Sequence, residues 1–164
     1  MATLLEDIKS QSDWIVRAFA SDGYKLDYSF DSIMEIDRFF AANMSNGEPK
    51  KGGRFPKQGF GAILFSMGSY IGETVIHNIP GAEWITDEED PQAELNVFLR
   101  LPNGVECSPI IKVFKRFQNG SEDALYPYVH MLVEETTGHV FNPDFWRLIA
   151  EAEKGKKKPW WKFW

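Results

Sequence analysis

The sequence predicts an α+β domain in which helices pack around a small antiparallel β-sheet of three to four strands. One observation is a long, mostly apolar stretch over residues 60–78, which predicts a buried central helix. A second is Pro102-Asn103-Gly104 between two strand-like runs, which is typical of a β-hairpin. Helical periodicity on both sides of these features predicts the remaining elements.

The central helix is predicted from the stretch FGAILFSMGSYIGETVIHN, whose first charged residue is Glu73. Three glycines, Gly61, Gly68 and Gly72, are spaced so that they share one stripe of the helix. Because each glycine costs a helix about 1 kcal/mol relative to alanine, we expect another element to pack closely along this stripe. The uncharged run is too short for a transmembrane helix, which needs about 20 apolar residues.

Two helices are predicted before the central one. Apolar residues recur at helical spacing over residues 3–21, and Asp22-Gly23 ends that helix. Ser29 has the character of an N-cap for a second helix that ends near Asn43. The basic, turn-rich segment 46–59 is predicted to be a loop.

Three segments after the central helix are predicted to be strands. In the second, Leu95, Val97 and Leu99 alternate with residues of the opposite face, which is the period of a half-buried strand. The Asn-Gly pair joins the second strand to the third, so the sheet is expected to be antiparallel. The segments are residues 82–86, which contain Trp84, residues 93–101 and residues 105–107.

Three further helices are predicted in the C-terminal part. Ser108-Pro109 is a typical helix start, with proline at the first helical position. On that helix Lys112, Lys115 and Arg116 are expected to face solvent. The other two helices are predicted over residues 123–137 and from Asn142-Pro143 to about Lys154.

Residues 1–154 are predicted to form one domain, followed by a basic, aromatic tail over residues 155–164. Five of the 18 basic residues lie in residues 154–164, so residues 1–153 carry a net charge of −11 against −6 for the whole chain. An acidic body predicts no nucleic-acid partner. The tail predicts three candidate binding residues, in a peptide that docks on the body, on a partner protein or peripherally on a membrane. They are Trp160, Trp161 and Trp164.

Glu73 and His77 are four residues apart, so they share one face of the central helix. With Tyr70 and Trp84 they are the candidate binding residues of the body. Two ligands are fewer than a catalytic zinc requires, so we predict no metal and no cofactor. The sequence has no G-x-S-x-G, H-E-x-x-H, phosphate-loop or dinucleotide motif, so no catalytic residue is assigned.

The single cysteine, Cys107, rules out an internal disulfide. The first ten residues contain early acidic groups and no apolar signal core. Both observations predict a cytoplasmic protein.

Four motifs occur in order between Leu26 and Val129: LDYSFDSIMEIDRFF, GSYIGETVIHNIPGAEW, LRLPNG and SPIIKVFKRFQNGSEDALYPYV. As an ordered set they resemble small bacterial proteins of uncharacterised function. Here Pro80-Gly81-Ala82 stands where a Gly-Gly pair is more usual in that pattern. The resemblance implies a bacterial source and an α+β domain, and it carries over no catalytic residue.

The acidic body, the many aromatic residues and the missing catalytic motifs favour a non-enzymatic binding or interaction protein. An immunity-type protein that neutralises a basic toxin is one example, because acidic surfaces suit basic partners. The alternative is a small enzyme with a cleft centred on Glu73 and His77. A perturbed glutamate pKa within a pocket favours the enzyme, whereas a shallow, closed Glu73–His77 pair with an exposed apolar or acidic patch favours binding.

Overall fold

The computed structural model describes residues 2–45, 47–55 and 58–155, and it confirms the α+β fold class. The tail tryptophans Trp160, Trp161 and Trp164 lie outside these residues. The helices are α1 (Leu4–Ser21), α2 (Ile33–Asn43), α3 (Phe60–Asn78), α4 (Ala93–Asn96), α5 (Pro109–Asn119), α6 (Leu125–Thr137) and α7 (Phe145–Lys154). The strands are β1 (Met44–Ser45), β2 (Glu48–Pro49), β3 (Glu83–Ile85), β4 (Phe98–Arg100) and β5 (Glu106–Cys107).

A polar cap precedes each of the first two helical segments, and the one at Ser29 confirms the prediction. At α1 the Thr3 hydroxyl accepts a hydrogen bond from the Glu6 N–H at 3.2 Å, and the Glu6 carboxylate accepts one from the Thr3 N–H at 3.3 Å. This reciprocal pair is a capping box. Ser29 caps a 3₁₀ turn, Phe30–Ser32, which leads directly into α2. The predicted bounds of both helical segments are confirmed to within a few residues.

The central helix α3 spans the predicted residues and packs between α1 and α5. A Cβ atom at Gly68 would lie 2.6 Å from the Cα of Ile110 on α5, and one at Gly72 would lie 2.0 Å from a ring carbon of Trp84 on β3. The predicted close approach is therefore confirmed at these two glycines. It is wrong at Gly61, where no described atom lies within 4 Å of such a Cβ, because this residue is exposed in the first turn.

The larger sheet is antiparallel with the strand order β3-β4-β5. In the hairpin between β4 and β5, Gly104 has φ +86° and donates its N–H to the carbonyl of Leu101 at 2.9 Å. Asn103 does not share the positive φ, so the turn relies on one glycine rather than on both residues. A second sheet pairs β1 with β2, so the loop prediction for residues 46–59 is wrong at Glu48–Pro49.

The strand prediction for residues 93–101 is wrong in its first half. Residues 93–96 form one helical turn, α4, and Leu95 is 41% exposed. Asp90 stabilises this turn because its carboxylate accepts hydrogen bonds from the Gln92 N–H at 2.8 Å and from Asn96 Nδ2 at 2.7 Å. Only Phe98–Arg100 is a strand, and its central residue Leu99 is completely buried.

The prediction that Arg116 faces solvent is also wrong, because its side chain is 3% exposed. Its Nε donates to the carboxylate of Asp37 on α2 at 3.2 Å, and its guanidinium lies 5.0 Å from the ring centre of Phe40. The same carboxylate accepts the backbone N–H groups of Leu125 at 2.9 Å and Tyr126 at 2.8 Å. Asp37 thus links α2 and α5 and caps the start of α6.

Substitution of Gly72 by alanine should destabilise the protein by about 1–3 kcal/mol, because the new methyl group overlaps the ring of Trp84. The matched control is Gly61→Ala, which meets open space and should raise stability by up to about 1 kcal/mol through helix propensity. Urea unfolding measures both differences. Equal midpoints for the two variants would contradict the packing described for α3.

Asp37→Asn should cost about 3–5 kcal/mol of unfolding free energy, because it leaves the buried guanidinium of Arg116 without a counter-charge. Asp123→Asn removes the carboxylate that faces Lys112 at 2.9 Å in a partly exposed pair, and it should cost about 0–1 kcal/mol. The comparison again uses urea unfolding. A loss no greater for Asp37→Asn than for Asp123→Asn would show that the buried pair is not needed.

Candidate functional site

A cleft of about 370 Å³ lies between α1 and the C-terminal half of α3. It brings Glu73 and His77 to one surface, as their spacing on the helix predicts. Tyr28, from the connection between α1 and α2, supplies an aromatic wall. The lining residues are Lys9, Ser12, Asp13, Tyr28, Glu73, Ile76 and His77.

Glu73 is half-buried, and this desolvation raises the pKa of its carboxyl group. Lys9 and the indole N–H of Trp84 act in the opposite direction, whereas the charge of Asp13 adds to the rise. The Trp84 indole is near enough to lower the pKa, yet its buried N–H completes no hydrogen bond with any described residue. The Glu73 carboxylate is therefore partly removed from water without a partner that fully compensates its charge.

Tyr28 has a left-handed backbone conformation, with φ +62°, and is the one described non-glycine residue with positive φ. Such a conformation costs of order 1–3 kcal/mol and persists only where the surroundings hold it. Its N–H donates to the hydroxyl of Tyr70 at 2.8 Å, and its carbonyl accepts from Asn78 Nδ2 at 2.7 Å. Its own hydroxyl lies 3.0 Å from the Ser12 hydroxyl and donates to Asp13 at 3.2 Å. These bonds hold the ring at the cleft wall.

The other candidates from the sequence occupy different layers. Tyr70 is completely buried below Tyr28, with ring centres 4.9 Å apart, so it supports the cleft from beneath. Trp84 lies behind α3 against Gly72. His77 is exposed at the rim, and it makes no hydrogen bond or ion pair with Glu73 among the described residues. The two residues thus flank the cleft and do not close on each other.

Sequence reasoning missed the contribution of α1. Lys9, Ser12 and Asp13 are spaced so that they share one helical face, which was the available signal. The sequence alone does not say that this face meets Glu73. The left-handed conformation of Tyr28 has no sequence signal, because neither glycine nor asparagine marks the position.

Cys107 lies away from this cleft, on β5. Burial raises the pKa of its thiol to about 11, so the thiol stays protonated near neutral pH. No group of three or more histidine, cysteine, aspartate or glutamate side chains converges on a metal position within the described residues.

Comparisons of the chain with protein-family models, with curated proteins and with solved structures find no match. In the part of the chain that the structure describes, no helix has both the length and the apolar composition needed to cross a membrane.

Glu73→Gln should change how stability depends on pH. Because the native pKa of Glu73 is raised above its unfolded value, the native state holds this proton more strongly, and stability is lost as pH rises through that interval. The melting temperature of the wild type should therefore fall relative to Glu73→Gln as pH rises from the ordinary pKa of 4.5 through the raised native pKa. The control is Glu135→Gln, which removes a carboxyl group that is exposed to solvent and outside the cleft. A difference between the wild type and Glu73→Gln that does not change with pH would show that burial does not perturb the Glu73 carboxyl group.

Proposed function

We propose that this chain is a non-enzymatic interaction protein of the bacterial cytoplasm that captures a basic partner protein, one of whose cationic side chains enters the cleft. The observation that carries the proposal is the acidic charge of the body, a net −11 over residues 1–153, together with the partly desolvated, undercompensated carboxylate of Glu73 in the cleft. An incoming cation supplies the opposite charge that stabilises such a carboxylate. Asp13 offers a second carboxylate, and the ring of Tyr28 offers a cation–π surface.

The dimensions of the cleft support an anchoring role. Its volume of about 370 Å³ lies near the lower end of the range for ligand pockets. Arginine side chains that fill such recesses are common hot spots of protein interfaces. The positive charge of Lys9 opposes a cation here, but its effect on the Glu73 pKa is smaller than that of burial.

The charge of the whole body supports a basic partner. Residues 1–153 carry a net charge of −11, which attracts and steers a cationic protein. Another depression, at the start of α1, is lined by Asp7, Glu88, Asp90 and Glu94, with no basic side chain among its described lining residues. A basic toxin is a partner class that fits this charge distribution, and its capture is the role of an immunity-type protein. The resemblance of residues 26–129 to small bacterial proteins supports the bacterial source.

A small enzyme is the second candidate function, and the raised pKa of Glu73 within a cleft favours it. A carboxyl group whose pKa is raised keeps its proton to higher pH than usual, which suits general acid–base catalysis. His77 and Asp13 lie in the same cleft and provide further titratable groups. Because Glu73 and His77 do not form a closed pair, both remain available to a substrate.

The capture proposal is tested by NMR titration of the full chain with N-acetyl-arginine amide, against N-acetyl-norleucine amide as the uncharged control. We expect arginine-specific shifts at the amides of Ser12, Asp13, Tyr28 and Glu73. Glu73→Gln should weaken binding about tenfold or more, because a hydrogen bond to a charged group contributes about 1.5–3 kcal/mol. Glu135→Gln should bind like the wild type.

The pH dependence of arginine binding provides an independent test of the proposal. A cation prefers ionised Glu73, so affinity should increase as pH rises through the raised pKa of this group. Shifts scattered over the surface, or equal affinity in Glu73→Gln, would contradict the proposal. Turnover of a glycoside, ester or phosphoester that Glu73→Gln abolishes, without arginine binding, would instead establish the enzyme.

A further inference from the structure

Two of the three histidines form a hydrogen-bonded pair far from Glu73 in the sequence. His130 on α6 and His139, just beyond the end of α6, face each other through their Nδ1 atoms at 2.9 Å. His139 Nε2 contacts the carboxylate of Asp31 at 2.9 Å, and that carboxylate also accepts the hydroxyl of Tyr126 at 2.7 Å. On the other side, His130 Nε2 lies 3.0 Å from the carboxylate of Glu134.

This geometry limits the number of protons that the pair can hold. A hydrogen bond between two ring nitrogens needs one N–H and one bare nitrogen. If both rings were imidazolium ions, two N–H groups and two positive charges would meet at the Nδ1 contact. His139 must also keep a proton on Nε2, because the carboxylate of Asp31 accepts a hydrogen bond from that N–H. The observed arrangement of His130 and His139 is therefore compatible with at most one imidazolium ion.

We propose that the His130–His139 pair is an acid-opened latch, which holds the segment between α6 and α7 on the domain until the pair binds one further proton. The two side chains are 18% and 12% exposed, so water can deliver the proton. Protonation of the last bare Nδ1 converts an attraction into a repulsion. The hydrogen bond between the two Nδ1 atoms is then lost, and the latch opens.

The latch secures residues 138–144. The Asn142 N–H donates to the hydroxyl of Tyr126 at 2.9 Å, so the bond to Asp31 and the bond from the segment share one phenol. The ring of Phe141 packs on Tyr126, with centres 5.0 Å apart, and on His130, with centres 5.2 Å apart. The segment leads into α7, which packs on α2. Opening therefore loosens the attachment of α7, and residues 155–164 follow that helix in the chain.

The latch responds to acid and not to alkali. The titratable groups that face it are Asp31 from the 3₁₀ turn before α2, and Tyr126 and Glu134 from α6; Phe30 and Phe141 add apolar contacts. Loss of a proton from His130 Nε2 affects only the contact with Glu134, whose side chain is 50% exposed and can turn to water. The bonds from His139 to Asp31 and to His130 remain possible with two neutral rings.

The test is amide hydrogen exchange of the full chain, with Asn142 as the reporter because its N–H depends on the Tyr126 hydroxyl. After correction for intrinsic rates, opening linked to one proton should accelerate exchange at Asn142 by up to about tenfold per pH unit of acidification below neutrality. His130→Gln should exchange faster at pH 7 and lose most of this acceleration. His77→Gln changes an exposed histidine outside the pair, and it should leave the exchange of the Asn142 amide and its pH dependence as they are in the wild type.

Acceleration that persists in His130→Gln would overturn the proposal and assign the response to a carboxylate. Exchange that does not depend on pH beyond the intrinsic rate, or that changes with chelator, would overturn it as well. A second measurement needs no variant: ¹⁵N NMR of the wild-type rings at pH 7 should show one protonated and one bare Nδ1 in the pair. Two bare or two protonated Nδ1 atoms would contradict the latch.

Discussion

The carboxylate of Asp37 is the point at which three helices meet, and the rest of the fold is arranged around it. It receives the guanidinium of Arg116 from α5 and two backbone N–H groups from the start of α6. A buried ion pair contributes little net stability by itself, but a missing partner is costly because the remaining charge stays desolvated. The pair therefore makes one relative placement of α2, α5 and α6 far more favourable than others. The N–H groups of Leu125 and Tyr126 find their acceptor only in that placement.

The packing of α3 determines the shape of the cleft. Gly72 leaves room for the ring of Trp84 against α3, and this position brings the indole N–H towards Glu73, the next residue of the helix. Tyr70, on the same helix, holds the backbone of Tyr28 from below. Helix α3 thus provides the Glu73 carboxylate and leaves space at Gly72 for Trp84. Through Tyr70 it also supports Tyr28. Changes in how α3 packs will consequently alter the cleft, even where they do not touch its lining.

Much of the fold follows from local patterns in the sequence. Helical periodicity, the Ser29 cap and the Gly104 turn are properties of neighbouring residues, so α1, α3, the start of the second helical segment and the hairpin could be predicted. Two of the errors, at Leu95 and Arg116, lie where a distant or side-chain interaction overrides local character. The others, at Gly61 and at Glu48–Pro49, depend on which elements pack or pair there, and a local pattern does not determine that. For the cleft, Glu73 and His77 could be found because they share one helix. Lys9, Asp13 and Tyr28 could not be assigned to it, because their proximity depends on how α1 packs on α3 and on a strained backbone.

The burial of Cys107 has a practical consequence. It is the only thiol in the chain, it lies on β5 beside Tyr128, and its pKa of about 11 keeps it unreactive while the sheet is intact. A thiol becomes an effective nucleophile only as the thiolate and only when reagents reach it. The rate of its alkylation therefore records how often β5 separates from the body. The alkylation rate of Cys107 thus measures the opening of the sheet in the native chain without any added label.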